Sequence, residues 1–327
     1  TAFTRLLVPQ DQHDDIVAQA DFVGDSLELA RRAAGVDEAR YIAFCGVYFM
    51  AETAAILAQG KTVLIPDTRA GCPLADSAPV ADVERAWDVV TRLGPSVIPV
   101  TYVNSSAALK AFCGERGGAV CTSANAAKVI SWALRKSGRV FFMPDMNLGL
   151  NTSRALGIEP DRVALWDRGR ELGGLDEKAL ERSRVILWKG WCPVHYPAFT
   201  ASDVHETRRR LGDIRIVVHP ETSPDTVEAA GETGSTSRML SLLQDLPTGT
   251  TIALGTEATM VNRASRDMQG RIRVVALREV YCEDMARITP EALARVLEDP
   301  EGEEHRVVVP ADIARSARKA LDIMLGL

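Results

Sequence analysis

Three cysteines, Cys72, Cys192 and Cys282, occupy matching local settings far apart in the chain. The residues leading into them read KTVLIPDTRAGC, RSRVILWKGWC and RIRVVALREVYC. Each time a basic residue opens a short run of β-branched and apolar residues, the pattern of a strand buried on both faces. A few polar residues follow, then the thiol. The pattern predicts all three thiols just past the carboxyl ends of buried parallel strands, where open α/β sheets place their ligand crevices. Separations of 120 and 90 residues mean that no single loop could hold all three. We expect three lobes to bring them to one centre.

Three thiolates with no obvious fourth ligand fit either a cubane iron–sulfur cluster with one iron left open or a zinc site with an open position. Spacing does not separate the two. Cys72 and Cys192 precede proline, whose missing N–H cannot compete for the thiolate, and Cys282 precedes Glu283 and Asp284, a polar exit unsuited to a core thiol. The other three cysteines read differently. Cys45 lies inside the apolar run YIAFCG, Cys113 inside a helical pattern and Cys121 within AVCTSAN, and buried cysteine ordinarily behaves as a small hydrophobe.

The elements that must carry these thiols follow a regular rhythm. YIAFCGVYF, MAETAAILAQG and KTVLIPD read as strand, helix, strand, the unit of a parallel sheet. Ahead of them, Phe22, Leu27, Leu29 and Ala30 read as a helix entered through Gly24-Asp25-Ser26 and stopped at Gly35. A second round runs from VERAWDVVTRLG through SVIPVTYVNSS, AALKAFCGERG, AVCTSAN, AAKVISWALRKSG and RVFFMPDMNLG, then a helix at NTSRALGI and a strand at VALWD. A third follows Cys192, through SDVHETRRRLG, DIRIVVHPET, a Gly-Ser-Thr tip between helices, TTIALGTEATMVNRAS and RIRVVALREVY. Two amphipathic helices close the chain. The expected fold is α/β, built from three α/β domains with short parallel sheets. Their expected bounds are 1–78, completed by 283–327, then 79–191 and 192–282.

With 327 residues, 46% of them hydrophobic, a large core and several domains are within reach. A formal net charge of −6 lacks the diffuse positive field of nonspecific nucleic-acid binding. No apolar run approaches the roughly 18 residues needed to span a bilayer. The opening TAFTRLLVPQ has no secretory pattern. Six cysteines without export features indicate a reducing compartment, and cytoplasm is the expected location.

Polar residues gather where strands end: Asn104-Ser105, Ser123, Asp145, His219 with Glu221, Ser235-Thr236 and Glu257. Any one of them suits a helix cap. One face of an α/β assembly would gather the whole set.

The blocks ADFVGDSLELAR, CGVYFMAETAAIL, CPLAD, TYVNSSAALKA, CTSANA, FFMPDMNLG, CPVH, VHPE, GSTSRM, GTEATMVNR and CEDMARITPEAL resemble the quinolinate synthase family. They fall in that family's order from about residue 20 to 300. The resemblance implies a pseudo-threefold arrangement of the three domains with the active site at their centre. It implies a [4Fe–4S] cluster held by Cys72, Cys192 and Cys282, and condensation of iminoaspartate with dihydroxyacetone phosphate to quinolinate, the pyridine precursor of NAD. Glu221 matches the carboxylate beside the open iron, a candidate acid/base, and His219 a substrate-contacting imidazole. Tyr102 is a candidate proton shuttle and Asn104 a binder of a substrate carbonyl or carboxylate. Ser26, Ser123, Ser235 and Thr236 offer hydroxyls for carboxylate and phosphate. An iminoaspartate-supplying enzyme is an expected partner.

The chain also departs from that pattern. The family's His-x-Tyr element on the first strand falls on Pro9 and Asp11 here, with His13 out of register. Thr222 stands where many members have cysteine, and Tyr48 where some have histidine. Two readings follow: quinolinate synthesis with the missing pair replaced, or the same open-iron condensation and dehydration on altered substrates in specialised metabolism.

Overall fold

The structure, a computed structural model, describes residues 4–36, 39–94 and 96–327. All twelve strands named below pair in parallel, in three short sheets. The first holds β1 (Thr4–Pro9), β2 (Phe22–Gly24), β3 (Tyr41–Phe44) and β4 (Thr62–Leu64). The second holds β5 (Ile98–Tyr102), β6 (Ala119–Cys121), β7 (Val140–Met143), β8 (Val163–Trp166) and β9 (Val185–Trp188). The third holds β10 (Arg215–Val218), β11 (Thr251–Gly255) and β12 (Arg273–Ala276). The protein is therefore α/β, with helices linking successive strands as parallel pairing requires.

Two compact units contain these sheets. One runs to Gly71 and resumes over Pro193–Val308; the other comprises Cys72–Cys192 and Val309–Leu327. The first unit carries the first and third sheets, and the second unit carries the five-stranded sheet.

The strand orders repeat. The first sheet runs β2-β1-β3-β4 and the second β6-β5-β7-β9-β8. In the third, β10-β11-β12 is extended beyond β10 by a parallel bridge from Val218 to Thr233. In each sheet the chain lays down a central strand, steps to one side, then returns across to the other. That reversal is a topological switch point, and it opens a crevice at the carboxyl ends.

Burial explains the strands. VFFM of β7 and VILW of β9 are buried at every position, as expected of strands covered on both faces. Caps explain the helix starts. Asp25 accepts the N–H groups of Leu27 and Glu28, so the first long helix spans Ser26–Ala34 and ends before Gly35. Phe22, expected in that helix, instead opens β2, because the cap fixes the start at Ser26. The helix expected at NTSRALGI is Met146–Ala155, starting earlier because Asp145 caps it through Leu148 N–H.

Within the second unit, the helix Ala311–Gly326 packs against the helix Ala107–Glu115. Trp87 meets Phe112 edge-on with ring centroids 5.5 Å apart, and Trp188 donates its indole N–H to the Ser77 carbonyl at 3.0 Å. In the first unit, Met239, Leu243, Ile252, Leu254 and Met260 form a buried cluster beside β11. Among the described residues, no helix is long and apolar enough to cross a membrane.

Candidate functional site

The repeated strand order assigns the polar residues to equivalent stations. Asp11, Asn104, and His219 with Glu221 follow the central strands β1, β5 and β10, and Tyr102 is the last residue of β5. Ser26, Ser123 and Ser235 each stand two residues beyond Gly24, Cys121 and Thr233, the last paired residues of the side-stepping segments. Cys72, Cys192 and Cys282 follow β4, β9 and β12.

All three of these cysteines are partly exposed, whereas Cys45, Cys113 and Cys121 are buried. Burial pushes the Cys45 thiol up to about 12 and raises Cys113 and Cys121 as well. These three are core thiols. One backbone hydrogen bond precedes each of the partly exposed cysteines. Tyr48 N–H donates to Ala70 O at 2.7 Å, Met146 N–H to Gly190 O at 2.8 Å and Ala258 N–H to Val280 O at 2.8 Å. Each acceptor lies two residues before its cysteine.

In the first unit, Glu221 and His219 are brought together, with a third residue beside them. His195 Nδ1 lies 2.6 Å from Glu221 Oε2, and its Nε2 lies 3.3 Å from Thr256 Oγ1. The His195 and His219 rings stack with centroids 4.2 Å apart and 17° between planes. The Glu221 N–H points to His219 Nδ1 at 3.4 Å. Burial, and then the nearby His195, hold His219 down at about 3, so its imidazole is neutral. His195, which the sequence pattern does not single out, joins Glu221 and His219 here. Its signal was the CPVH block, a histidine three residues after Cys192.

Asp11 belongs to the same neighbourhood. Burial raises its carboxyl, opposed by its own backbone N–H, His195 and Arg263 and reinforced by Glu221. Glu257 is pushed up to about 7, first by burial and then by the charge of Asp11. Burial likewise lifts the Cys282 thiol to about 11. The loop that carries Asp11 is fixed from two sides: buried Gln12 donates to Cys45 O at 2.9 Å and Met285 O at 3.3 Å, and Arg263 donates to Gln12 O at 2.9 Å.

In the second unit, Tyr102 closes β5 and is 5% exposed. Its carbonyl accepts the Ser105 hydroxyl at 2.7 Å. Asn104 Oδ1 is buried and has no hydrogen-bond partner among the described residues. Ser123 lies on the turn after β6, the strand beside β5, where Val103 N–H donates to Cys121 O at 2.8 Å. The Cys192 N–H donates to Asp145 Oδ2 at 3.2 Å.

Three hydroxyls stand at helix starts. Ser26 is the first residue of its helix, Ser235 caps the helix Thr236–Asp245 by accepting Arg238 N–H at 3.3 Å, and Thr236 is that helix's first residue. Helix N-termini favour anions, because unpaired N–H groups and the helix dipole point the same way.

The chain matches the family described as Quinolinate synthetase A protein over residues 6–326. It is 45% identical to the quinolinate synthase of Geobacillus kaustophilus, over 99% of this chain and 89% of that protein. It is 42% identical to that of Corynebacterium glutamicum, over 97% and 82%, and 42% identical to that of Acidobacterium capsulatum, over 100% and 89%. With its strand-end cysteines and its buried His195–Glu221 pair, and with likeness at this level along nearly its whole length, the chain belongs to the quinolinate synthase family of enzymes.

Proposed function

We propose that the protein condenses iminoaspartate with dihydroxyacetone phosphate to quinolinate, losing phosphate and water, and uses a [4Fe–4S] cluster held by Cys72, Cys192 and Cys282. The observation that carries this reading is the contrast among six thiols. Those three are partly exposed and follow a shared backbone hydrogen bond, while the other three are buried in the core. The residues fit the group: thiolate is the usual ligand of such clusters, and three ligands leave one iron open. When bound, that iron supplies a Lewis acid for a substrate hydroxyl or carboxylate.

The chain's own groups do the rest. Glu221 takes and returns the proton at its carboxylate, oriented by His195 Nδ1 at 2.6 Å. Because His219 Nδ1 faces the Glu221 N–H, its other nitrogen carries the proton and donates to a substrate carboxylate. Neutral at working pH, His219 offers a hydrogen bond rather than a charge. Tyr102 relays a proton during tautomerisation, and Asn104 engages a substrate carbonyl or carboxylate. Ser26, Ser123, Ser235 and Thr236 bind the carboxylates and the phosphate near helix N-termini. On this reading the enzyme works in the cytoplasm, beside an enzyme that supplies iminoaspartate.

A second reading, the same chemistry on altered substrates, is favoured by one observation. Asp11 stands where the family has a phenol, with a carboxyl raised by burial beside His195 and Glu221. One experiment separates the two. Anaerobically prepared protein should contain iron and acid-labile sulfide in equal amounts, lost in C72A, C192A and C282A. Given oxaloacetate, ammonia and dihydroxyacetone phosphate, it should form quinolinate. An intact cluster without quinolinate selects altered substrates; zinc in place of iron and sulfide defeats both readings.

A further inference from the structure

In each sheet the strand that returns past the central one is followed by a helix N-cap, and these three residues differ in a way that bears on the cysteines. They are Val47 after β3, Asp145 after β7 and Glu257 after β11. Asp145 is fully buried. Its Oδ1 accepts Leu148 N–H at 2.7 Å, and its Oδ2 accepts Cys192 N–H at 3.2 Å. Glu257, 4% exposed, repeats the arrangement: Oε2 accepts Thr259 N–H at 2.7 Å, and Oε1 accepts Cys282 N–H at 3.4 Å. Val47 offers no side-chain acceptor.

We propose that Asp145 and Glu257 are positioning residues that hold the backbone N–H groups of Cys192 and Cys282 away from their own sulfurs, and so keep the potential of a bound cluster low. The inference rests on the cluster reading above and adds the part played by the second ring of residues. Hydrogen bonds to cluster sulfur raise the reduction potential, as does loss of nearby negative charge. A peptide N–H already committed to a carboxylate cannot make such a bond. The commitment is built in. Met146 N–H is tied to Gly190 O at 2.8 Å, and a Cβ at Gly190 would run into Ser77 Oγ and the Pro144 carbonyl. The approach to Cys192 is thus fixed against the Asp145 turn. Ala258 N–H, tied to Val280 O at 2.8 Å, fixes the approach to Cys282 in the same way. A low potential keeps the cluster in its oxidised state under reducing conditions, where an open iron acts as a Lewis acid without exchanging electrons.

The test uses the full chain, loaded anaerobically and titrated with dithionite through redox mediators while the visible spectrum is followed. D145S preserves the helix cap, since serine caps as well as aspartate, but withdraws the acceptor from Cys192 N–H. E257S does the corresponding thing at Cys282. Both should keep the wild-type iron content and thermal midpoint and shift the cluster potential upward, while V47A leaves it unchanged. If D145S folds poorly, D145T, which also caps, carries the measurement. Unchanged or lower potentials in loaded, folded D145S or D145T and E257S overturn this inference alone. A wild-type chain that binds no cluster overturns the underlying reading, and this inference with it.

Discussion

His195 Nδ1 and Glu221 Oε2 meet at 2.6 Å, short for a nitrogen–oxygen hydrogen bond, with the Glu221 side chain 1% exposed. The pair separates chemistry from stability. E221Q keeps the volume and a hydrogen bond to His195 but removes the proposed acid/base, so kcat should fall by roughly 10²- to 10⁴-fold with little change in thermal midpoint. H195A withdraws the imidazole from a buried carboxylate and should cost on the order of 3 kcal/mol in urea unfolding. Equal stability losses in both variants, or an active E221Q, would contradict these roles.

His219 predicts an acid-side loss of stability. Its imidazole titrates near 3 in the folded protein, against 6.5 when unfolded. Between those values the unfolded chain binds more protons than the folded one, so stability rises with pH across the window. The contribution is complete above about pH 6.5 and is lost as pH falls toward 3. Urea unfolding of the metal-free chain at stepped pH should show a steeper decline for wild type than for H219N. Parallel curves would mean that the folded imidazole protonates freely.

Much of this was legible in the sequence. Buried parallel strands announce themselves as continuous apolar runs, as VFFM and VILW do, and the caps Asp25, Asp145 and Ser235 mark helix starts. The strand-end stations of Tyr102, Asn104, Ser123, His219 and Glu221 followed from that rhythm. Three things were not readable. Phe22 has helical spacing from Leu29, but capping at Asp25 overrides the periodicity and leaves it on β2. His195 lies on an irregular segment, so no period points to its contact with Glu221. The shared hydrogen bond before each cysteine joins residues from 22 to 44 positions apart, a pairing set by strand order rather than local pattern.

The cap at Asp25 should matter to binding as well as folding. Its carboxylate accepts both Leu27 and Glu28 N–H groups at 3.0 Å, which fixes the first turn that carries Ser26. D25A should cost about 1 kcal/mol and raise KM for the anionic substrates several-fold at nearly unchanged kcat, with D25S restoring both. A KM unmoved in folded D25A would remove Ser26 from the binding role.

Gly114 sets how closely the C-terminal helix docks within its unit. A Cβ there would run into the Ser316 carbonyl and come within 3.3 Å of Ala320 N, so the obstacle is backbone and cannot rotate aside. Ala317, Ala320, Leu321 and Met324 are buried on that helix and depend on the close approach. G114A should therefore destabilise the protein by about 1–3 kcal/mol through overpacking, lowering the thermal midpoint and speeding proteolysis near Val308. The large-to-small L321A should produce the same protease sensitivity by the opposite route, a cavity. If G114A melts and resists protease like wild type, the two helices do not pack through this glycine.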